Sequence, residues 1–123
     1  MKHTLLALLL LFGVTSAVLA GDFEDGKDAL AHKDFATAFQ KFLNAAEAGH
    51  TKAQYMLGVS YAYGKGVSQN DVQAYKWFHI AAATSTDHKV RVLAVNSRDA
   101  LAQTMSPHEI AEAEQLARDW HGT

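Results

Sequence analysis

The sequence predicts an all-α fold, a short stack of about three antiparallel helix pairs, and three observations carry that prediction. A segment recurs without a gap at a fixed shift, so that Ala38 falls on Ala74, Phe42 on Phe78, and Ala45–Ala46 on Ala81–Ala82. The matched positions lie four, three and one residues apart, the spacing of a single helix face. The chain of 123 residues is 49% hydrophobic and 20% charged with a single proline, enough for one folded domain and unlike a disordered one.

The amino-terminal stretch MKHTLLALLLLFGVTSAVLAGDF places Lys2 before an apolar run and closes on small residues at Val18-Leu19-Ala20. A basic start, a short apolar centre and a small residue at the cut make a signal peptide over residues 1–20, with cleavage near Ala20. The uncharged run from Thr4 to Ala20 is short for a membrane span, and no basic stop-transfer cluster follows it. The expected product is residues 21–123, exported to the periplasm or beyond, with no stable membrane insertion. Without Lys2 that product carries ten basic against thirteen acidic residues, a formal charge of −3. Such mild acidity argues against a nucleic-acid partner, which needs clustered Lys and Arg. There is no cysteine, so disulfides, thiol nucleophiles and thiolate metal sites are excluded.

The first unit, residues 22–50, couples a short helix in DFEDGKDALA to KDFATAFQKFLNAAEAG. Phe39 of this unit is matched by Tyr75 in the next. Small alanines on the shared face let a neighbouring helix come close, and the aromatics fill the space beside them.

The second unit, residues 51–83, opens with TKAQYMLGVSYAYGKGV. Ala53, Leu57 and Tyr61 recur every four residues on one side of a helix. Gly58 lets a second helix approach closely, since a glycine inside a helix otherwise costs about 1 kcal/mol relative to alanine. The helix ends near Tyr63, with Gly64 as its left-handed cap. The run AQYMLGVSYAYGKGVSQNDVQAYKWFHIAAA resembles the Sel-one-like repeat (SLR) family, relatives of the tetratricopeptide repeat. Ala53, Leu57, Gly58, Tyr61, Gly64, Gly66, Val67, Ala74, Trp77, Ala81 and Ala82 stand where the family pattern has its fixed residues. Asn70-Asp71 departs from the family's Asp-Tyr pair, whereas Asp34-Phe35 keeps an acidic-aromatic pair in the first unit. The resemblance implies a right-handed α-solenoid, SLR- or tetratricopeptide-like, that serves as a scaffold for protein or peptide partners.

The third unit, residues 87–121, is expected to be a capping helix pair. Val90, Leu93, Ala94, Ser97 and Leu101 share one face of its first helix. Its second helix starts with Ser106, Pro107 and Glu109, a capping-box signature, and carries Ile110, Ala113, Ala117 and Trp120 as an apolar stripe.

Chemical motifs fail on spacing. Gly64-Lys65-Gly66 lacks both the earlier glycine and the hydroxyl residue of a phosphate loop and follows a helix, so it reads as a turn. Ser60 in GVSYA lies inside a helix and lacks the closing glycine of a hydrolase elbow. Some cysteine-rich SLR proteins have been linked to β-lactam binding, but this chain has neither cysteine nor a Ser-x-x-Lys acylation motif. His108, Glu109 and Glu112 miss the second histidine of a zinc motif, and the remaining histidines show no ligand spacing. Glu112 and Glu114 read as solvated carboxylates. No catalytic residue, cofactor site or metal site follows from the sequence, and an enzyme is not expected.

What remains is a surface. At 100° per residue, Lys52, Tyr55, Met56, Val59 and Tyr63 cluster opposite Leu57 and form a candidate partner-binding groove, or else a seam buried between units. By resemblance to tetratricopeptide modules, the first helix of each pair lines such a groove. The expected function is an exported helical-repeat module for protein–protein or protein–peptide interaction in the bacterial envelope. The alternative is a cell-wall-directed or hydrolytic enzyme without a recognisable motif, which weak turnover of acyl or glycosyl substrates would reveal.

Mass spectrometry of the exported protein is expected to find a chain beginning at Gly21. Recovery of intact chain bearing Met1 from the membrane fraction would contradict this.

Overall fold

The computed structural model describes residues 21–122, so the expected signal peptide lies outside the described residues. Among them every regular element is a helix, with α1 over residues 21–31 and α2 at Phe35–Glu47. α3 (Thr51–Tyr63), α4 (Asp71–Thr84), α5 (His88–Ala102) and α6 (Pro107–Asp119) follow.

The starts of α2 to α6 each have a side chain that satisfies amides left unpaired by the first turn. Asp34 accepts from the Thr37 amide at 3.3 Å and Asn70 from the Gln73 amide at 3.0 Å. Asp87 accepts from the amides of Lys89 and Val90. At α6 the capping box forms as expected: Ser106 Oγ accepts from the Glu109 amide, and the Glu109 carboxylate accepts from the Ser106 amide. That second bond holds the Glu109 carboxyl below its ordinary value. α3 uses a less common cap, the Nδ1 of His50, at 3.1 Å from the Ala53 amide.

α3 ends at Tyr63, and Gly64 adopts the left-handed conformation (φ 65°, ψ 40°) that costs glycine little. The loop then folds back onto the start of α2. Gly66 has φ 78°, and a methyl group added there would lie 2.1 Å from the Phe35 carbonyl oxygen. Lys65 Nζ sits 4.8 Å from the centre of the Phe35 ring. The Gly-Lys-Gly segment is therefore a turn that locks two successive units together.

α4 lies at the centre, packed against α3, α5 and α6. It buries Ala74, Tyr75, Trp77, Phe78, Ile80 and Ala81, while α2 buries Ala38, Phe42, Ala45 and Ala46. One core joins Phe23, the α2 face, Ala53, Leu57, Trp77 and Ile80, with Ala117 and Trp120 packed against it. A second, smaller core joins Tyr75, Met105 and Ala113, with Leu101 and Ile110 at its edge. Trp77 is 2% exposed and meets the Trp120 ring edge-on at 5.6 Å.

Close packing inside the units depends on glycine. A methyl group at Gly58 would fall 2.5 Å from the Phe78 ring, and one at Gly26 would fall 2.7 Å from the Phe42 ring. The same glycine–phenylalanine contact thus occurs in both units.

The last two helices depart from the sequence expectation. α6 lies against α4 rather than pairing closely with α5. In consequence Leu93, expected on the buried face of α5, is 48% exposed, and Val92 beside it is 42% exposed. Val90 and Ala94 are buried as expected. Glu114, read as solvated, instead accepts a hydrogen bond from Tyr75 Oη at 3.0 Å. Burial first, and then this bond, push the Tyr75 phenol above its ordinary value.

Two substitutions test this packing. Trp77→Ala is expected to cost about 3–5 kcal/mol in a urea melt. Gly66→Ala, strained in φ and blocked by backbone, is expected to cost about 2 kcal/mol or more. A variant of either kind that melts like the wild type contradicts the packing described.

Candidate functional site

A helix inside a stack has neighbours on two sides, so its apolar surface is shared between them. For α3 the arc opposite Leu57 spans residues at 52, 55, 56, 59 and 63, and the structure divides it. Tyr55, Val59 and Tyr63 line an open hollow of ≈520 Å³ between α3 and α5. Met56 instead packs against the core formed with the preceding unit. Lys52 is exposed and lines a different hollow, of ≈320 Å³, at the amino-terminal end of α3. The five residues expected to act together are thus three in the groove, one in the core and one at a separate opening.

The groove has its base at Phe78 of α4, whose ring lies 5.6 Å from that of Tyr55. This is the phenylalanine seated against Gly58, so the close approach that joins α3 to α4 also sets the depth of the hollow. α3 supplies the aromatic wall, ending at Tyr63, which is 73% exposed. α5 supplies the opposite wall with Asn96, Ser97, Ala100 and Leu101, and Thr104 follows just beyond its end. The sequence pattern gave Phe78, Ser97 and Leu101 packing roles and placed neither Phe78 nor any α5 residue in the groove. Their only available signal was the seven- and eight-residue spacing of Asn96/Ser97 from Thr104, which polar surface helices share widely.

Among the described residues, no Lys, Arg, His, Asp or Glu lines the groove. Its chemistry is therefore that of an apolar trough edged by an amide, two aliphatic hydroxyls and two tyrosine phenols. Such a lining takes up uncharged side chains and leaves amides and hydroxyls free to pair with a main chain. The two tyrosines of this arc differ in setting: Tyr55 is half-buried against Phe78, whereas Tyr63 projects outward.

Behind the groove a polar network ties α4 to its neighbours. His79 stacks on Tyr75 at 5.9 Å, and Arg98 of α5 approaches His79 Nδ1 at 3.5 Å. Burial, then the Arg98 charge, lowers the His79 pKa, which keeps the ring an acceptor toward the guanidinium. Among the described residues no group of three or more His, Asp or Glu is arranged to hold a metal ion. Nor is any described helix long and apolar enough to cross a membrane.

Comparison with known proteins bears on this geometry. The family model for the Sel1 repeat matches residues 51–83. Over 74 residues, 60% of this chain, the sequence is 40% identical to part of the chitin synthase regulator SKT5 of Saccharomyces cerevisiae. Over 39 residues, 32% of this chain, it is 46% identical to part of the exopolysaccharide production negative regulator of Rhizobium meliloti. The matches span 10% of the first relative and 15% of the second. The crystal structure of a protective antigen present in uropathogenic Escherichia coli strains, which displays an SLR fold, aligns with a TM-score of 0.77 and 28% identity. That alignment covers 83% of this chain and 22% of the antigen.

The different settings of the two tyrosines give a direct test. Tyr63→Ser is expected to shift stability by no more than about 0.5 kcal/mol. Tyr55→Ser removes a half-buried ring from Phe78 and is expected to cost about 1–3 kcal/mol. Equal losses from both in thermal or urea melts would mean that the outer end of α3 is not open.

Proposed function

We propose that this Sel1-repeat protein, a stack of helices of the SLR fold, is a non-catalytic docking module that holds an uncharged, apolar segment of a protein partner between α3 and α5. The observation that carries the reading is the groove itself: ≈520 Å³, based on Phe78, walled by Tyr55, Val59 and Tyr63, and with no ionic group among its described lining residues. A volume of that size accepts a few apolar side chains rather than a whole helix face. Tyrosines at the rim offer large contact area at small entropic cost, a property of residues that dominate binding energy.

The comparisons support the same reading. Both curated relatives are named as regulators, and a regulator without its own chemistry works by engaging another protein. The amino-terminal pattern supports a place for this interaction outside the cytoplasm, in the bacterial envelope. There the absence of cysteine removes any dependence on disulfide formation.

A photoreactive phenylalanine analogue at Tyr63, irradiated in living cells, is expected to yield a covalent adduct with one envelope protein. The same probe at exposed Glu112 of α6 serves as the control position. Ala100→Asp puts a charge into the groove at an exposed position, so it is expected to cut the Tyr63 adduct about tenfold or more, equivalent to about 1.4 kcal/mol. Adduct formation no greater at Tyr63 than at Glu112, or insensitive to Ala100→Asp, would refute the groove as the docking site.

A further inference from the structure

We propose that His50 is an acid-sensitive latch at one end of the stack: its neutral ring caps α3 and packs on Phe23 of α1, and protonation at Nδ1 releases the cap. The inference rests on geometry independent of the groove. His50 Nδ1 is 3.1 Å from the Ala53 amide, and an N–H donor there requires a lone pair on that nitrogen. The ring's proton must then sit on Nε2. The same ring stacks on Phe23 with centroids 4.3 Å apart and planes 28° apart. Phe23 belongs to the main core, so one imidazole joins the cap of α3 to the seating of α1.

The ring borders the ≈320 Å³ hollow formed by Phe23, Glu24, His50, Thr51, Lys52 and Asp87. Three helices supply its titratable groups: Glu24 comes from α1, Lys52 from α3, and Asp87 is the cap of α5. α2 and α4 approach this end through uncharged groups. The Ala45 carbonyl accepts the His50 amide at 3.1 Å, and Ser85 Oγ lies 3.0 Å from Thr51 Oγ1. Asp22, which precedes Phe23, is engaged by Lys41 at 3.3 Å.

Opposing influences act on a proton at this ring. A hydrogen bond between the ring and the His50 main chain favours the charged form, as does, more weakly, the Glu24 carboxylate, and an aromatic face such as Phe23 is tolerant of a cation. Against it stand burial, the Lys52 charge, the Ala53 amide pointing at Nδ1, and the positive end of the α3 dipole. Burial is the largest influence, and the balance lowers the His50 pKa below 6.5. A histidine with a folded pKa below its unfolded value stabilises the fold above the unfolded pKa. As pH falls through about 6.5 the unfolded chain takes up the proton first, and that stability is lost progressively down to the lowered folded value. Once charged, the ring has a donor at Nδ1 where an acceptor is needed, and the Glu24 and Asp87 carboxylates border the hollow into which it can turn. The start of α3 is then uncapped.

Hydrogen exchange at the Ala53 amide, corrected for intrinsic rate, reads the latch locally and separates it from other titrating groups. Between about pH 7.5 and about pH 5 the wild type is expected to lose protection at Ala53. His50→Asn, which keeps a good cap that does not titrate, is expected to retain it at both. NMR of the His50 ring is expected to show the Nε2–H form at neutral pH and a pKa below 6.5, moving lower still in Glu24→Gln. Wild-type protection that is unchanged by acid overturns the proposal. So does an equal acid loss in His50→Asn, or a His50 that titrates at or above 6.5.

Discussion

Two phenylalanine rings seated against glycines set the spacing on which the rest of this stack depends. Phe42 occupies the space a side chain at Gly26 would need, and Phe78 does the same at Gly58. Each contact draws the two helices of a unit closer than side chains at both positions would permit. Alanines at 38, 45, 46, 74 and 81 carry the same closeness to neighbouring helices, and all five are buried. Shortening these distances concentrates apolar burial in a small chain, where each increment is a large share of a stability of only several kcal/mol. The groove is a by-product of this spacing. Phe78 cannot move away from Gly58 without disturbing the core, so the base beneath Tyr55 is rigid, and only the rim at Tyr63 is free to adapt.

Much of this was legible in the sequence, because the features that define the repeat are local. The cap at Gly64, the capping box at Ser106 and Glu109, the burial of Trp77 and the close approach at Gly58 each depend on a few neighbouring residues. Gly26 escaped notice for a simple reason of register. The link after α1 is shorter than the link after α3, so a gapless alignment that superposes Phe42 on Phe78 does not superpose Gly26 on Gly58. His50 escaped because imidazole is an uncommon cap, and its acceptor role appears only once the ring's orientation is known.

The candidate site was less legible than the fold. Helical periodicity places Lys52, Met56 and Tyr63 within a narrow arc, yet neighbours on either side of α3 decide which of them meets solvent. Met56 goes to the core and Lys52 to the end of the helix, whereas the α5 wall of the groove has only a spacing that polar surface helices share widely. The exposure of Leu93 has the same origin. A pattern within α5 states that one face is apolar, but the position of α6, laid on α4, determines how much of that face is covered.

The placement of α6 also changes how the molecule holds itself together. In an ideal linear array each unit feels only its neighbours, and stability is a sum of separable terms that can be lost from one end. Here Trp120, beyond the end of the last helix, meets Trp77, and a side chain on Gly122 would lie 3.5 Å from the carbonyl of Glu47 in α2. The carboxy-terminal end thus reaches back across the stack to its second helix, as the Gly66 loop does from the middle. These two long-range ties make the chain a closed circuit rather than a row. Fraying from the last helix would open the main core at once, so the helices rise and fall as one thermodynamic unit.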